Sequence, residues 1–144
     1  MAEQKPHLLV FVQHKKCANV DEETFYKWYK EELNPEAVRL VKKYNILRYA
    51  VFYTPSGMRK PFEEEFHNKL QKPHWTVPDW DAATCYWVYD PDDLRALQAD
   101  PEWTSRVNKM EEGWIDGKEI SISIGHEIPY FENGEVKNTT VAAD

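Results

Sequence analysis

Residues 21–44, DEETFYKWYKEELNPEAVRLVKKY, decide the architecture of this chain. Phe25, Trp28, Tyr29 and Leu33 recur at three- and four-residue intervals, the spacing that gathers side chains on one face of a helix. The opposite face is charged. Asp21 stands where its carboxylate can accept backbone N–H groups of the first turn, and Glu22 and Glu23 follow where the helix dipole favours negative charge. Pro35 lacks an N–H and disfavours helical geometry at Asn34, which predicts a bend with Leu33 and Asn34 at the break. Val38, Val41 and Tyr44 are expected to carry the apolar stripe past it.

Strands are expected on both sides of this helix. Residues 7–14 (HLLVFVQH) and 46–54 (ILRYAVFYT) are rich in β-branched and aromatic residues, and the second run ends at the turn signal Pro55-Ser56-Gly57. Residues 58–81 are the least regular, with Pro61, Pro73 and Pro78, a short helix expected over 61–70, and the aromatic end HWTVPDW. A connection this long reads as a lid or insertion. Residues 82–89 (AATCYWVY) give a third strand, and Asp90-Pro91-Asp92 opens a second helical region through Leu94 and Leu97. Pro101 restarts it, Trp103, Val107, Met110 and Trp114 carry its apolar face, and Gly113 and Gly117 are expected to stop it. Residues 120–128 alternate isoleucine with serine and form the clearest period-two strand; residues 131–144 read as a turn and a polar tail. The order β-α-β-β-α-β predicts an α+β, ferredoxin-like unit, an antiparallel sheet with helices on one face. Its other face is expected to pair with a second copy, although the Ile120-Ser121-Ile122-Ser123-Ile124 alternation leaves open which layer does so.

With 144 residues, 42% hydrophobic and 30% charged, residues 1–144 suit a single domain with one core. No apolar run approaches the roughly 20 residues that span a bilayer, and the first residues are too poor in basic side chains for a secretory signal, so a cytoplasmic location without membrane attachment is expected. A net charge of −7 with scattered Lys and Arg argues against nucleic acid as a partner. Cys17 and Cys85 are far apart and outside any CxxC pattern, which disfavours a disulfide framework or structural zinc. The excess is aromatic: 6 Trp, 8 Tyr and 6 Phe exceed what a core of this size usually needs, so some rings are expected to line a cavity.

Taken together, the helix start with Phe25 and the Trp28-Tyr29 pair, the ILRY segment, Asp81 opening the third strand and ADPEW at 99–103 resemble the EthD-type dimeric α/β-barrel proteins. The resemblance runs from about residue 8 to residue 127. The aromatic insertion before Asp81 is similar to fungal members associated with polyketide gene clusters. It implies a small homodimeric enzyme with no metal or organic cofactor, acting on an aromatic or polyketide-like small molecule held between sheet and helices. Fungal relatives of this kind include decarboxylases of anthraquinone-type acids; other dimeric α/β-barrels are cyclases, isomerases or cofactor-independent oxygenases. One departure bears on mechanism. Many EthD-type proteins carry a histidine just before the proline break, whereas here Glu31-Glu32-Leu33-Asn34-Pro35 puts Leu33 in its place, and a leucine exchanges no protons.

Proton transfer must then come from elsewhere. His14 closes the first strand at the mouth of the helix–sheet space, though Lys15 and Lys16 point to a solvated strand end. His126 shares a face with Ile122 and Ile124, and His74 lies between Trp75 and the rest of the insertion, where a closing lid would bring an imidazole and the indoles of Trp75 and Trp80 over a flat guest. Tyr49 is the phenolic candidate, able to hydrogen-bond an enolate or ketone. Phe25, Trp28, Tyr29, Leu33, Tyr53, Tyr86 and Trp87 are the expected walls. Glu111-Glu112 reads as a solvated helix face.

The functional expectation is a cofactor-independent enzyme of secondary metabolism that decarboxylates, or cyclises and dehydrates, a polyketide-like aromatic or polyenone by proton transfer. Two other readings stay open. A pericyclic cyclase would work by shape and tolerate Leu33. A non-catalytic module would bind an apolar ligand or only dimerise.

Overall fold

The computed structural model describes residues 7–144. Four antiparallel strands, β1 (His7–Lys16), β2 (Arg48–Tyr53), β3 (Ala82–Val88) and β4 (Ile115–Glu127), form one sheet in the spatial order β2-β3-β1-β4. Helix α1 (Glu22–Trp28) continues through a π-helical turn, Tyr29–Leu33, into α2 (Asn34–Val41), and α3 (Ser56–Asn68) fills the connection before β3. Helix α4 (Pro91–Ala99), a second π-helical turn (Trp103–Asn108) and the short α5 (Lys109–Glu111) return the chain to β4. Leaving α3 aside, this is the ferredoxin-like β-α-β-β-α-β order with an antiparallel sheet.

Strand parity sorts the side chains into two layers. Register pairs Leu8 with Val88, Val10 with Tyr86, Val12 with Thr84 and His14 with Ala82, so these residues face the helices together with Tyr49, Val51 and Tyr53 of β2. Against them pack Phe25, Trp28, Tyr29, Leu33, Ala37, Leu40 and Val41 from the first helical run, and Leu94, Leu97, Trp103 and Val107 from the second. Each such burial stabilises by about 1.5–3 kcal/mol, far more than the ~1 kcal/mol of the Asp21 cap, whose carboxylate accepts the Thr24 N–H at 2.8 Å. The other layer carries Leu9, Phe11, Ala50, Ala83, Cys85 and Trp87 and has no helix over it. Among the described residues no helix is long and apolar enough to cross a membrane.

Several sequence expectations change here. Asn34 keeps helical geometry (φ −61°, ψ −42°) rather than breaking at Pro35, because the π-turn before it widens the helix and the Asn34 N–H reaches back to the Tyr29 carbonyl. That wide turn adds one residue, so Ala37, Leu40 and Val41 are buried after it, while Val38 is exposed. Pro55-Ser56-Gly57 opens α3 rather than a turn. Glu22 caps that helix from a distance, accepting Ser56 N–H and Oγ, each at 2.6 Å, a tertiary cap with no local sequence signal. Gly117 lies inside β4, which begins at Ile115 because its backbone pairs with β1 beyond a register shift between His14 and Lys16; Gly113, at φ +82°, follows the helix end. The tail holds a hairpin, β5 (Phe131–Glu132) and β6 (Glu135–Val136), joined by Asn133-Gly134 with φ of +53° and +80°, the pair that a tight primed turn demands.

Candidate active site

The layer between helices and sheet is packed with rings from four elements, and none of these residues lines any of the cavities described here. The Tyr29 ring, 1% exposed, descends from the π-turn into this layer; its hydroxyl shares a 2.7 Å hydrogen bond with Thr84 Oγ1 on β3. The His14 imidazole lies parallel to it, 5.7 Å between centroids and 3° between planes. Tyr53 meets Tyr29 edge-on at 5.7 Å, and Tyr49 tilts against Tyr86 at 5.4 Å. Asn34, the first residue of α2, bridges two of these phenols: its Nδ2 donates to Tyr53 Oη at 3.0 Å and its Oδ1 accepts from Tyr49 Oη at 3.2 Å. A π-turn presents Tyr29 and Asn34 in this way because its extra residue turns both toward the sheet, and such turns concentrate at functional sites.

Polar groups within this layer are left unpaired. His14 is 3% exposed, and its Nε2 is buried with no hydrogen-bond partner among the described residues, an arrangement that costs roughly 1–3 kcal/mol. Burial drops its pKa from 6.5 to about 4, against the opposing pull of the Val12 carbonyl, so the imidazole is neutral at pH 7 and its free nitrogen can take a proton. Tyr86 is a buried residue whose hydroxyl, which keeps some contact with solvent, makes no hydrogen bond among the described residues. Burial raises the phenols of Tyr29, Tyr49 and Tyr86, which keeps them protonated and able to donate. Phe25, Trp28 and Leu33 are buried in the core: Trp28 stacks on Trp114 at 4.9 Å and 2° and on Phe25 at 5.8 Å.

A charged cleft of ≈ 460 Å³ opens at the His14 end, lined by Lys15, Lys16, Glu22, Ser56, Arg59, Asp79 and Asp81. The backbone N–H of Asp81 donates to the His14 carbonyl at 3.0 Å, so the cleft lies beside the His14 backbone. Its outer wall is held by Arg59 Nη1, which donates to the carbonyls of Thr54 at 2.7 Å and Trp80 at 2.6 Å, and by Tyr26 Oη, which donates to the Asp81 carbonyl at 2.8 Å. Trp80 is half-buried beside it with Lys15 Nζ 5.7 Å from its ring. Among the described residues no three His, Cys, Asp or Glu side chains converge as a metal site would require.

The other sequence candidates lie outside this cluster of rings. Trp87 lies on the sheet face opposite the helices, buried where its Nε1 donates to Glu127 at 2.9 Å and Arg48 stacks over it at 4.4 Å. Consecutive residues of a strand face opposite layers, so Tyr86 and Trp87 do not share a wall. His126 pairs with Leu8 and so has the parity of the helix-facing layer, but it is exposed on the edge strand; His74 is exposed in the loop after α3. Trp75 packs edge-on against Phe66 of α3 at 5.5 Å, half in solvent. The residue that sequence reasoning passed over is Glu111. It is partly buried and its carboxylate has no hydrogen bond or ion pair among the described residues, while Glu112 beside it is exposed and pairs with Lys109 at 3.0 Å. The signal was present in the spacing Trp103, Val107, Glu111: two buried residues four apart place the third on the same face.

Comparison with known proteins agrees with this architecture. A Bacillus halodurans structure described as an ethyl tert-butyl ether D (EthD) family protein superposes with a TM-score of 0.55 at 14% identity, covering 85% of this chain and 99% of that one. A Bacteroides fragilis structure, described as a dimeric protein of unknown function and ferredoxin-like fold, gives 0.54 at 13% identity, covering 88% and 100%. In sequence the chain is 34% identical over 138 residues, 96% of its own length and 97% of the relative's, to "Dehydratase iacD" of Pestalotiopsis fici. It is 29% identical over 105 residues, 73% of its length and 64% of the relative's, to a "Putative oxygenase" of Aspergillus terreus. The EthD domain model matches residues 18–118, from the loop before α1 into β4, and this chain is therefore a member of the EthD family.

Proposed function

We propose that this chain is a dehydratase-type lyase that removes water from an aromatic, polyketide-like β-hydroxy ketone in the layer between helices and sheet. The observation that carries the reading is the buried His14 Nε2, unpaired and beside Tyr29 in that layer. Dehydration is preferred to decarboxylation because the relative that matches 96% of the chain is named a dehydratase. A neutral imidazole removes a proton from the carbon next to the ketone, and the charge that develops on the ketone oxygen is met by a phenolic O–H, for which Tyr86 has its hydrogen bond to give. Tyr49 holds its ring in place through Asn34. Leu33 offers only an apolar wall, so the proton chemistry that the family pattern puts at the helix break passes to His14 on β1. Phe25, Trp28, Tyr29 and Tyr53 bound the flat guest, and α3 with the Trp80 loop forms the outer wall of the entrance.

We also assign the chain a homodimeric state, supported by the uncovered sheet face and by neighbours in fold described as dimeric. Phe52 is 58% exposed on that face, next to Phe11 at 6.3 Å, a patch a second copy would cover.

The test is incubation with an aromatic β-hydroxy ketone, followed by mass analysis of the products. Loss of one water, abolished in His14→Phe, is the expected result; binding with no change of mass reduces the protein to a ligand-binding module. The relative named a putative oxygenase favours one competing outcome, consumption of O2 with gain of oxygen mass, which the same measurement separates.

A further inference from the structure

We propose that Glu111 is the general acid of this site, delivering a proton to the hydroxyl that leaves the substrate while His14 Nε2 takes the proton from carbon. The inference rests on the dehydratase reading above and adds the group that reading lacks. In the step, the C–H bond adjacent to the ketone and the C–O bond of the β-hydroxyl break and a C=C bond forms. The proton on carbon passes to His14, the Glu111 proton passes to the departing oxygen, and water leaves. Transfer of the proton from imidazolium to carboxylate through solvent then restores both groups, so no oxidant or reductant is consumed.

Geometry places Glu111 for this role. It ends α5, one turn beyond Val107 and two beyond Trp103, both buried against the sheet, and this face turns it inward. Its charge adds to the upward shift of the phenols of Tyr29 on the first π-turn, Tyr49 on β2 and Tyr86 on β3. Tyr29, whose phenol is among those raised by that charge, is the ring on which His14 stacks. The lack of any hydrogen bond or ion pair to the Glu111 side-chain oxygens among the described residues is unusual for a partly buried carboxylate, which in a purely structural role finds a partner. Burial raises its pKa from 4.5 to about 7, so near neutrality a large fraction carries the proton it must give.

The experiment compares two leaving groups on one ring system. The probe 3-hydroxy-1-tetralone eliminates water to give 1-naphthol, read by fluorescence, and needs a proton on its leaving oxygen. The probe 3-acetoxy-1-tetralone gives the same naphthol by expelling acetate, which needs none. Glu111→Gln is expected to lose roughly 100-fold or more in kcat on the hydroxy probe, the scale of general acid catalysis, with KM little changed and with the fall in rate above pH 7 abolished. On the acetoxy probe it is expected to stay within a few-fold of wild type, whereas His14→Phe loses both. Equal loss on the two probes, or no loss on the hydroxy probe, overturns the assignment of Glu111 and leaves the dehydratase reading standing. A wild-type protein inactive on both probes overturns that reading and the assignment with it.

Discussion

His14 and Tyr29 stack face to face, 3° from parallel, with the hydroxyl of the one bonded to Thr84 and the Nε2 of the other bonded to nothing among the described residues. The stack holds the ring; the free nitrogen contributes nothing to packing. His14→Phe keeps the ring and deletes the nitrogen, so stability should hold or rise by about 1 kcal/mol, since an unsatisfied polar atom leaves the core. Turnover should fall by about 100-fold or more. Urea unfolding beside a rate measurement checks both halves, and a variant that is less stable and fully active would remove His14 from the mechanism.

Glu111 and His14 drive stability with opposite pH dependence. The Glu111 carboxyl is raised from 4.5 to about 7 by burial, so its contribution is fully present below pH 4.5 and is lost as pH rises through about 7. The His14 imidazole is lowered from 6.5 to about 4, so its contribution is present above pH 6.5 and is lost as pH falls through about 4. Each amounts to roughly 3 kcal/mol at full extent, and in wild type the two largely offset. Glu111→Gln should unmask the difference: its stability relative to wild type should climb by about 2–3 kcal/mol between pH 4.5 and pH 8. Unfolding midpoints across that range settle it, and a gap that does not move with pH means Glu111 is solvated.

What the sequence made legible follows from periodicity. Phe25, Trp28, Tyr29 and Leu33 announce a buried helix face, and the isoleucines of β4 announce a strand, because each pattern spans at least two periods. The site was harder to read. His14 looks solvated beside Lys15 and Lys16, yet the register shift between His14 and Lys16 lets the lysines turn away while the imidazole stays inside. Lys15 then pairs with Asp79 at 3.2 Å and Glu119 at 2.9 Å. Glu111 was hidden by Glu112, because a charge pair reads as solvent until helix phase separates its members. β3 is buried on both faces, so AATCYWV shows no alternation, and only pleat parity parts Tyr86 from Trp87.

Phe52 tests the assembly. A glutamate at that position puts a charge on the face we assign to a second copy, and burying an unpaired carboxylate there costs several kcal/mol, enough to shift a micromolar dimer to monomer. Light scattering should give the mass of one chain for Phe52→Glu and of two for wild type. Identical masses would leave Phe52 outside any interface.

Arg59 tests the outer wall. Its guanidinium ties two carbonyls, Thr54 and Trp80, and lies 3.8 Å from Asp81 Oδ1. Hydrogen bonds from a charged donor at a part-buried site contribute about 1.5–3 kcal/mol, mostly to keeping this segment closed. In Arg59→Met, amides of α3 and residues 69–81 should exchange about tenfold faster or more, while those of β1 and β3 keep their protection. Uniformly faster exchange throughout would mean the arginine supports the whole fold instead.

Asn34 supplies the sharpest separation of packing from hydrogen bonding. It joins Tyr49 and Tyr53 through one amide, and its removal strands two phenols that are otherwise well placed. Asn34→Leu should improve helix propensity by about 0.5 kcal/mol yet destabilise by about 1–3 kcal/mol in total, since two partly buried hydroxyls lose their partner. Adding Tyr49→Phe and Tyr53→Phe removes the stranded groups, so the triple variant should be more stable than Asn34→Leu alone. If the three substitutions simply add in chemical denaturation, the amide is not coupled to either ring, and the bridge cannot be what orients Tyr49 toward the guest.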